Sequence, residues 1–276
     1  MPKKASTLTE PRSFMIYGPP KIGKSTLMAS LSRVKRYEKM AVIDIDAGSQ
    51  AFATSDPNVD VIPIPYQDAD AFTEVFNDLV GKHKGLYQAV GIDTMTVLQP
   101  WLLRRIAGKS LVNGFMKQNK ATWDNWGEVA DLIMDIAWQM HYAPWCGLML
   151  FHAKDEKDAI TGIDKKKPAL KGSARDSIGA VADVNLYMRA HNAETGDYTE
   201  SGEAVIKTLR IARFGINEET PTGNRVRLPE GLTDDNGALN MPEMFKYIRG
   251  DMAIEDAPAI PEHPALSSED GESPAE

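Results

Sequence analysis

Short apolar runs alternate along this chain with stripes at helical spacing. Residues 13–17 (Ser-Phe-Met-Ile-Tyr) form an apolar run of strand length, and Leu27, Met28 and Leu31 then recur on one face of a helix over 25–31. A second run over 40–48 finishes in the carboxylates Asp44 and Asp46, which period-two alternation puts on one face at the carboxyl end of the strand. A short strand over 61–65 follows, then a helix over 69–80 with Phe72, Val75, Phe76 and Leu79 on one side. Residues 87–94 read as a strand running into Asp93, and 95–107 as a helix. After a loop over 108–125, a helix over 127–141 leads to a buried strand over 145–151, which delivers His152, Lys154 and Asp155 at its end. Strands over 181–189 and 204–211, joined by a polar turn, predict an antiparallel hairpin, and residues 244–249 close the fold. Strands separated by helices predict an α/β protein with a mainly parallel sheet flanked by helices and ended by that hairpin.

Composition divides the chain into three parts. The 276 residues can bury one sizeable core, and one domain over 12–250 is the expectation. The formal net charge of -8 lies wholly in the last stretch: residues 251–276 hold eight carboxylates and no Lys or Arg, which leaves 31 acidic and 31 basic residues before them. That acidic, Pro- and Ser-containing stretch reads as a disordered tail, and residues 1–11 as a flexible arm. The lone Cys146, flanked by Trp145 and Leu148, reads as a buried thiol and suits a reducing compartment. No stretch reaches membrane-spanning length, so a cytoplasmic protein with no membrane partner is expected.

Candidate chemistry concentrates between the first strand and the first helix. Gly18, Pro19, Pro20, Lys21, Ile22, Gly23, Lys24, Ser25 and Thr26 fit the spacing G-x-x-x-x-G-K-[ST] where a strand turns into a helix. Glycines there let successive backbone N–H groups wrap a phosphate, Lys24 reaches the β and γ phosphates of ATP, and Ser25 joins the shell of a Mg²⁺. An apolar strand ending in Asp93 downstream of such a loop has the form of a second metal-site residue, although strands also end in Asp as helix caps. Two further stretches could meet nucleic acid. Over 108–125, Lys117 and Lys120 mix with Phe115, Trp123 and Trp126, where the tryptophans could stack bases or cap the core. Lys165, Lys166, Lys167, Lys171 and Arg175 share a Gly- and Ser-containing loop without an acid, suited to phosphate backbones or to plain solvation.

Taken in this order, the parts resemble the RecA-like ATPases over roughly residues 12–230. They are most similar to the phage-encoded, core-only relatives described as Sak-type single-strand annealing or recombination proteins, a phage nucleotide-binding AAA-type family. The resemblance implies a RecA-like P-loop NTPase core in which Asp46 orients the attacking water and Asp93 is the Walker B acid. The family usually carries Glu where Asp46 stands, and Asp is about one methylene shorter. It also implies an extra strand between the P-loop strand and the Walker B strand, bringing His152 to the γ-phosphate. By the same resemblance Arg213, with Arg210 as alternate, is an arginine finger given to a neighbouring subunit, and 109–125 and 153–175 are the DNA-binding segments. The implied activity is ATP hydrolysis coupled to annealing or strand exchange on single-stranded DNA, in a self-associated ring or filament. A single-strand-binding or replication protein is the expected partner of the acidic tail. A non-hydrolysing, nucleotide-dependent annealing scaffold, a P-loop nucleotide kinase and a helicase motor remain as alternatives.

Overall fold

The computed structural model describes residues 10–112, 115–157, 162–198, 204–215, 220, 222–234 and 239–257. Strand β1 (Ser13–Gly18) is buried along its whole length. It is followed by α1 (Lys24–Ala29), two short 3-10 turns, and β2 (Met40–Asp44). Next come β3 (Asp60–Pro63), α2 (Ala69–Val80), β4 (Ala89–Asp93) and α3 (Met95–Ala107). A two-stranded ribbon, β5 (Lys109–Val112) and β6 (Phe115–Gln118), precedes α4 (Trp123–Tyr142) and the long β7 (Cys146–Lys157). The remainder is β8 (Asp164–Pro168), α5 (Ala174–Ser177), β9 (Val184–Tyr198), β10 (Ala204–Arg213), β11 (Gly223–Asn224), β12 (Gly231–Thr233) and α6 (Met241–Arg249).

The main sheet runs β3-β2-β4-β7-β1-β9-β10-β12. Every pairing from β3 to β9 is parallel, whereas β9–β10 and β10–β12 are antiparallel. This is the mainly parallel sheet with a closing hairpin that the hydrophobic pattern predicts, and it is an α/β fold of the P-loop NTPase kind. β7 lies between β1 and β4, where the resemblance puts it, and its register sets His152 opposite Gly18. Alternation along β1 builds both faces: Met15 and Tyr17 join the core beneath α2, α3 and α4, while Phe14 and Ile16 join the core beneath α1 and α6. Each such large apolar side chain contributes roughly 1.5–3 kcal/mol by leaving water.

Five local expectations are corrected. The second strand ends at Asp44, short of Gly48, because the Asp44 carboxylate accepts from the backbone N–H groups of Gly48 (2.9 Å) and Ser49 (3.2 Å) and turns the chain out of the sheet. Asp46 therefore sits on a turn, not on the face of a strand. The stretch read as a loop over 108–125 holds β5, β6 and the start of α4. α4 begins at Trp123 because Thr122 and Asn125 form a reciprocal capping box. The basic segment is also ordered, with β8 pairing antiparallel to the outer half of β7.

At the ends, Glu10 accepts from Arg36 (2.5 Å), Tyr37 (3.0 Å) and Arg249 (3.0 Å), so the body begins by residue 10. It reaches Ala257, which packs with Met252 on the second core. The rest of the arm and of the tail lies outside the described residues. Cys146 is buried as expected, and burial pushes its thiol far above the ordinary range. Among the described residues no helix is long and apolar enough to cross a membrane.

Candidate nucleotide site

Two features of the 18–26 loop need glycine. A Cβ on Gly18 would stand 2.5 Å from the Met188 carbonyl oxygen of β9, so only a bare backbone lets the loop leave β1 there. Gly23, with φ 98°, has a left-handed conformation that strains any residue with a side chain. Ile22 anchors the loop in the core, while Pro19, Pro20 and Lys21 stay exposed at its rim. Lys24 is buried and donates to the carbonyls of Gly18 (3.1 Å) and Pro19 (2.8 Å).

Beneath the loop, the Ser25 hydroxyl donates to Asp93 Oδ2 at 2.5 Å. The helix-cap reading of Asp93 is excluded by Thr94, whose side chain caps α3 by accepting from Val97 N–H. Asp46 Oδ1 and Asp93 Oδ2 both stand 2.9 Å from the place a Cβ on Gly48 would occupy, so the two carboxylates flank one spot. The site thus gathers Lys24, Ser25, Asp46, Asp93 and His152 from four segments far apart in sequence. Thr96 steadies the last of these, its hydroxyl accepting from His152 N–H at 3.0 Å.

The electrostatics of this cluster are those of crowded, poorly hydrated charges. Burial, with Asp46 and Asp44 adding to it, pushes Asp93 up to about 7 against the Ser25 hydrogen bond and Lys24. Asp46 is raised by burial and by Asp44, with His152, Lys24 and Gly48 N–H opposing. Lys24 is lowered by burial against the pull of Asp93 and Asp46, and His152 by burial and Lys24 against Asp46. Acids whose ionised forms are this disfavoured would be relieved by a cation. The donor set fits a Mg²⁺ held by one hydroxyl and one carboxylate with phosphate oxygens and water completing the shell.

A family model described as an AAA domain matches residues 10–226. The chain belongs to this AAA domain family. No curated protein matches it. Solved structures that resemble this AAA domain include the prototypical ATPase from the type III secretion system of pathogenic bacteria, with 13% identity and a TM-score of 0.38 over 64% of this chain and 51% of that one. The chain spans about half the length of that ATPase. As a member of the family it is a nucleotide-binding P-loop ATPase, and the 18–26 loop lies inside the matched region.

Other predicted site residues of this AAA domain stand elsewhere. Arg213, on β10, is partly buried, and among the described residues its Nε has no hydrogen-bond partner. The alternate, Arg210, reaches the P-loop instead: its Nη1 is 3.2 Å from where a Cβ on Gly23 would be. The basic segment is largely neutralised by acids that lie outside it. Lys166 pairs with Asp155 (2.6 Å), Lys167 with Asp176 (3.0 Å) and Glu156 (3.8 Å), and Arg175 with Glu156 (2.5 Å) and Asp176 (3.4 Å). Lys165 faces Glu156 in the ladder, and Lys171 lies over the Trp126 ring at 5.3 Å.

Unpaired positive charge stands on the β5–β6 ribbon and in the residues just after it. Lys109, Lys117 and Lys120 are exposed and without an ion pair among the described residues. Trp123, at the start of α4, is 91% exposed. Trp123, Trp126, Lys171 and Gly172 line a cleft of about 490 Å³. Gln99 fastens the Lys171 backbone to α3, donating to its carbonyl (2.9 Å) and accepting from its N–H (2.8 Å).

Proposed function

We propose that this AAA domain is a RecA-like, phage-type recombinase that binds ATP and Mg²⁺, associates with single-stranded DNA and promotes annealing or strand exchange in the cytoplasm. The Ser25–Asp93 hydrogen bond beneath the P-loop is the observation that carries the nucleotide half of this reading. Lys24 neutralises the transferred phosphate, Ser25 and Asp93 hold the metal, and Asp46 aligns the attacking water. His152 links the P-loop to the basic segment, since β7 continues beyond it to pair with β8. Self-association into a ring or filament, and recruitment of a replication partner by the acidic tail, belong to the same reading.

The DNA half rests on the exposed Trp123 and on Lys109, Lys117 and Lys120 in the segment that leads into α4, with Lys171 lining the same cleft as Trp123. A nucleobase stacked on Trp123 gains roughly 1–3 kcal/mol. Unpaired lysines alongside release counterions from the strand, whereas the paired Lys166, Lys167 and Arg175 would first have to give up their partners. Titrating a labelled oligonucleotide by anisotropy tests this. Trp123→Ala should weaken binding about 5- to 150-fold, while Lys166→Ala should change it little; the reverse ranking would sink the assignment. The non-hydrolysing scaffold keeps one supporting observation, the short Asp46 side chain on a turn. It predicts nucleotide-dependent DNA binding without phosphate release.

A further inference from the structure

β10 carries Arg210 to the P-loop from two strands away. Along it, Ala212 is fully buried in the core beneath α1 and α6, and Arg210 alternates onto that same face. Its backbone is clamped on both sides by Asp234: Arg210 N–H donates to the carboxylate at 2.7 Å, and Asp234 N–H donates to the Arg210 carbonyl at 2.9 Å. From this fixed base the side chain lies along the loop. Nη1, Cζ and Cδ stand 3.2, 3.6 and 3.7 Å from the place of a Cβ on Gly23. A Cβ at that position would press on the guanidinium at 3.2 Å, and the φ of 98° itself favours glycine there, so both observations suit the same residue.

The carboxylate of Asp234 stands 3.9 Å from Nε, at the limit of an ion pair, and the side chain is 51% exposed. Among the described residues, the fork of the guanidinium is therefore not consumed by a bidentate partner. It stands at the loop that also holds Lys24, and two cations on one loop are arranged for a polyanion rather than for each other.

We infer that Arg210 binds the polyphosphate of the nucleotide held by its own P-loop, in cis, instead of reaching a neighbouring subunit. This rests on the P-loop being the nucleotide site. A planar fork suits two phosphate oxygens at once, which a lysine cannot match. The consequence is a division of labour in which the arginine contact is complete within one chain, and assembly is needed for DNA handling rather than for nucleotide capture.

The test has two arms on the full chain. In the first, a fluorescent ADP is titrated with Mg²⁺ into the native protein, Arg210→Ala, Arg210→Gln and Arg210→Lys. The inference predicts about ten- to a hundredfold weaker binding by the neutral variants and partial recovery by lysine. Native-like affinity in Arg210→Ala, or in Arg210→Gln should the alanine variant fail to fold, overturns it. Absence of binding by the native protein would instead remove the P-loop reading itself. In the second arm, Lys24→Ala and Arg210→Ala are mixed in equal amounts. Acting in cis, Arg210 gives a mixture that releases no more phosphate than its two components separately; recovery above that sum shows an arginine supplied in trans.

Discussion

Asp93→Asn separates what this carboxylate does for stability from what it does for chemistry. The side chain is 2% exposed, and burial holds its carboxyl at about 7 instead of the ordinary 3.8. The folded protein thus binds a proton that the unfolded chain has released, and stability conferred by protonated Asp93 is lost as pH rises from about 4 to about 7. At 1.36 kcal/mol for each pKa unit, the full displacement corresponds to at most about 4 kcal/mol. Asparagine keeps an oxygen for the Ser25 hydroxyl and carries no charge beside Asp44 and Asp46. In urea unfolding without Mg²⁺ or nucleotide, Asp93→Asn should match the native protein near pH 4 and gain on it up to about 4 kcal/mol above pH 7. Saturating Mg²⁺ and ATP should narrow that gap, because a cation restores the ionised carboxylate, while turnover of the variant collapses. A stability difference that is flat with pH, or that favours the native carboxylate above pH 7, would refute the buried-acid reasoning.

Two further outcomes follow from packing and charge. Gly91 of β4 faces the Met28 sulfur of α1 so closely that a Cβ cannot enter unless the buried thioether shifts; Gly91→Ala should cost about 1–3 kcal/mol in urea unfolding, and an unchanged midpoint would contradict this packing. Replacing Lys109, Lys117 and Lys120 together by Ala should reduce the slope of log affinity for single-stranded DNA against log salt by about 2, and an unchanged slope would move the DNA surface elsewhere.

The Ser25–Asp93 pair was legible in the sequence because both residues end motifs of fixed form, a P-loop spacing and an apolar strand running into an acid. The sheet was legible because its strands are continuous apolar runs. Hydrophobic periodicity was silent where polar groups decide the structure. Asp44 turned the chain by accepting backbone N–H groups, so the alternation that placed Asp46 stopped one residue after β2. β8 is a strand of lysines held by acids on β7, and neither its type nor its partners carry a strand signal. Two signals were present and went unread: Asn113-Gly114 between β5 and β6, a common hairpin dipeptide, and Thr122 with Asn125, the reciprocal cap of α4. The approach of Arg210 to Gly23 joins a strand and a loop far apart in sequence, and no local pattern could have shown it.

The most direct measurement is steady-state phosphate release from ATP and Mg²⁺, with and without single-stranded DNA, for the native protein beside Lys24→Ala. A recombinase of this kind should show turnover that rises with DNA and vanishes in the variant. DNA that binds without raising turnover would favour the annealing scaffold, and phosphate release indifferent to Lys24 would contradict the account at its centre.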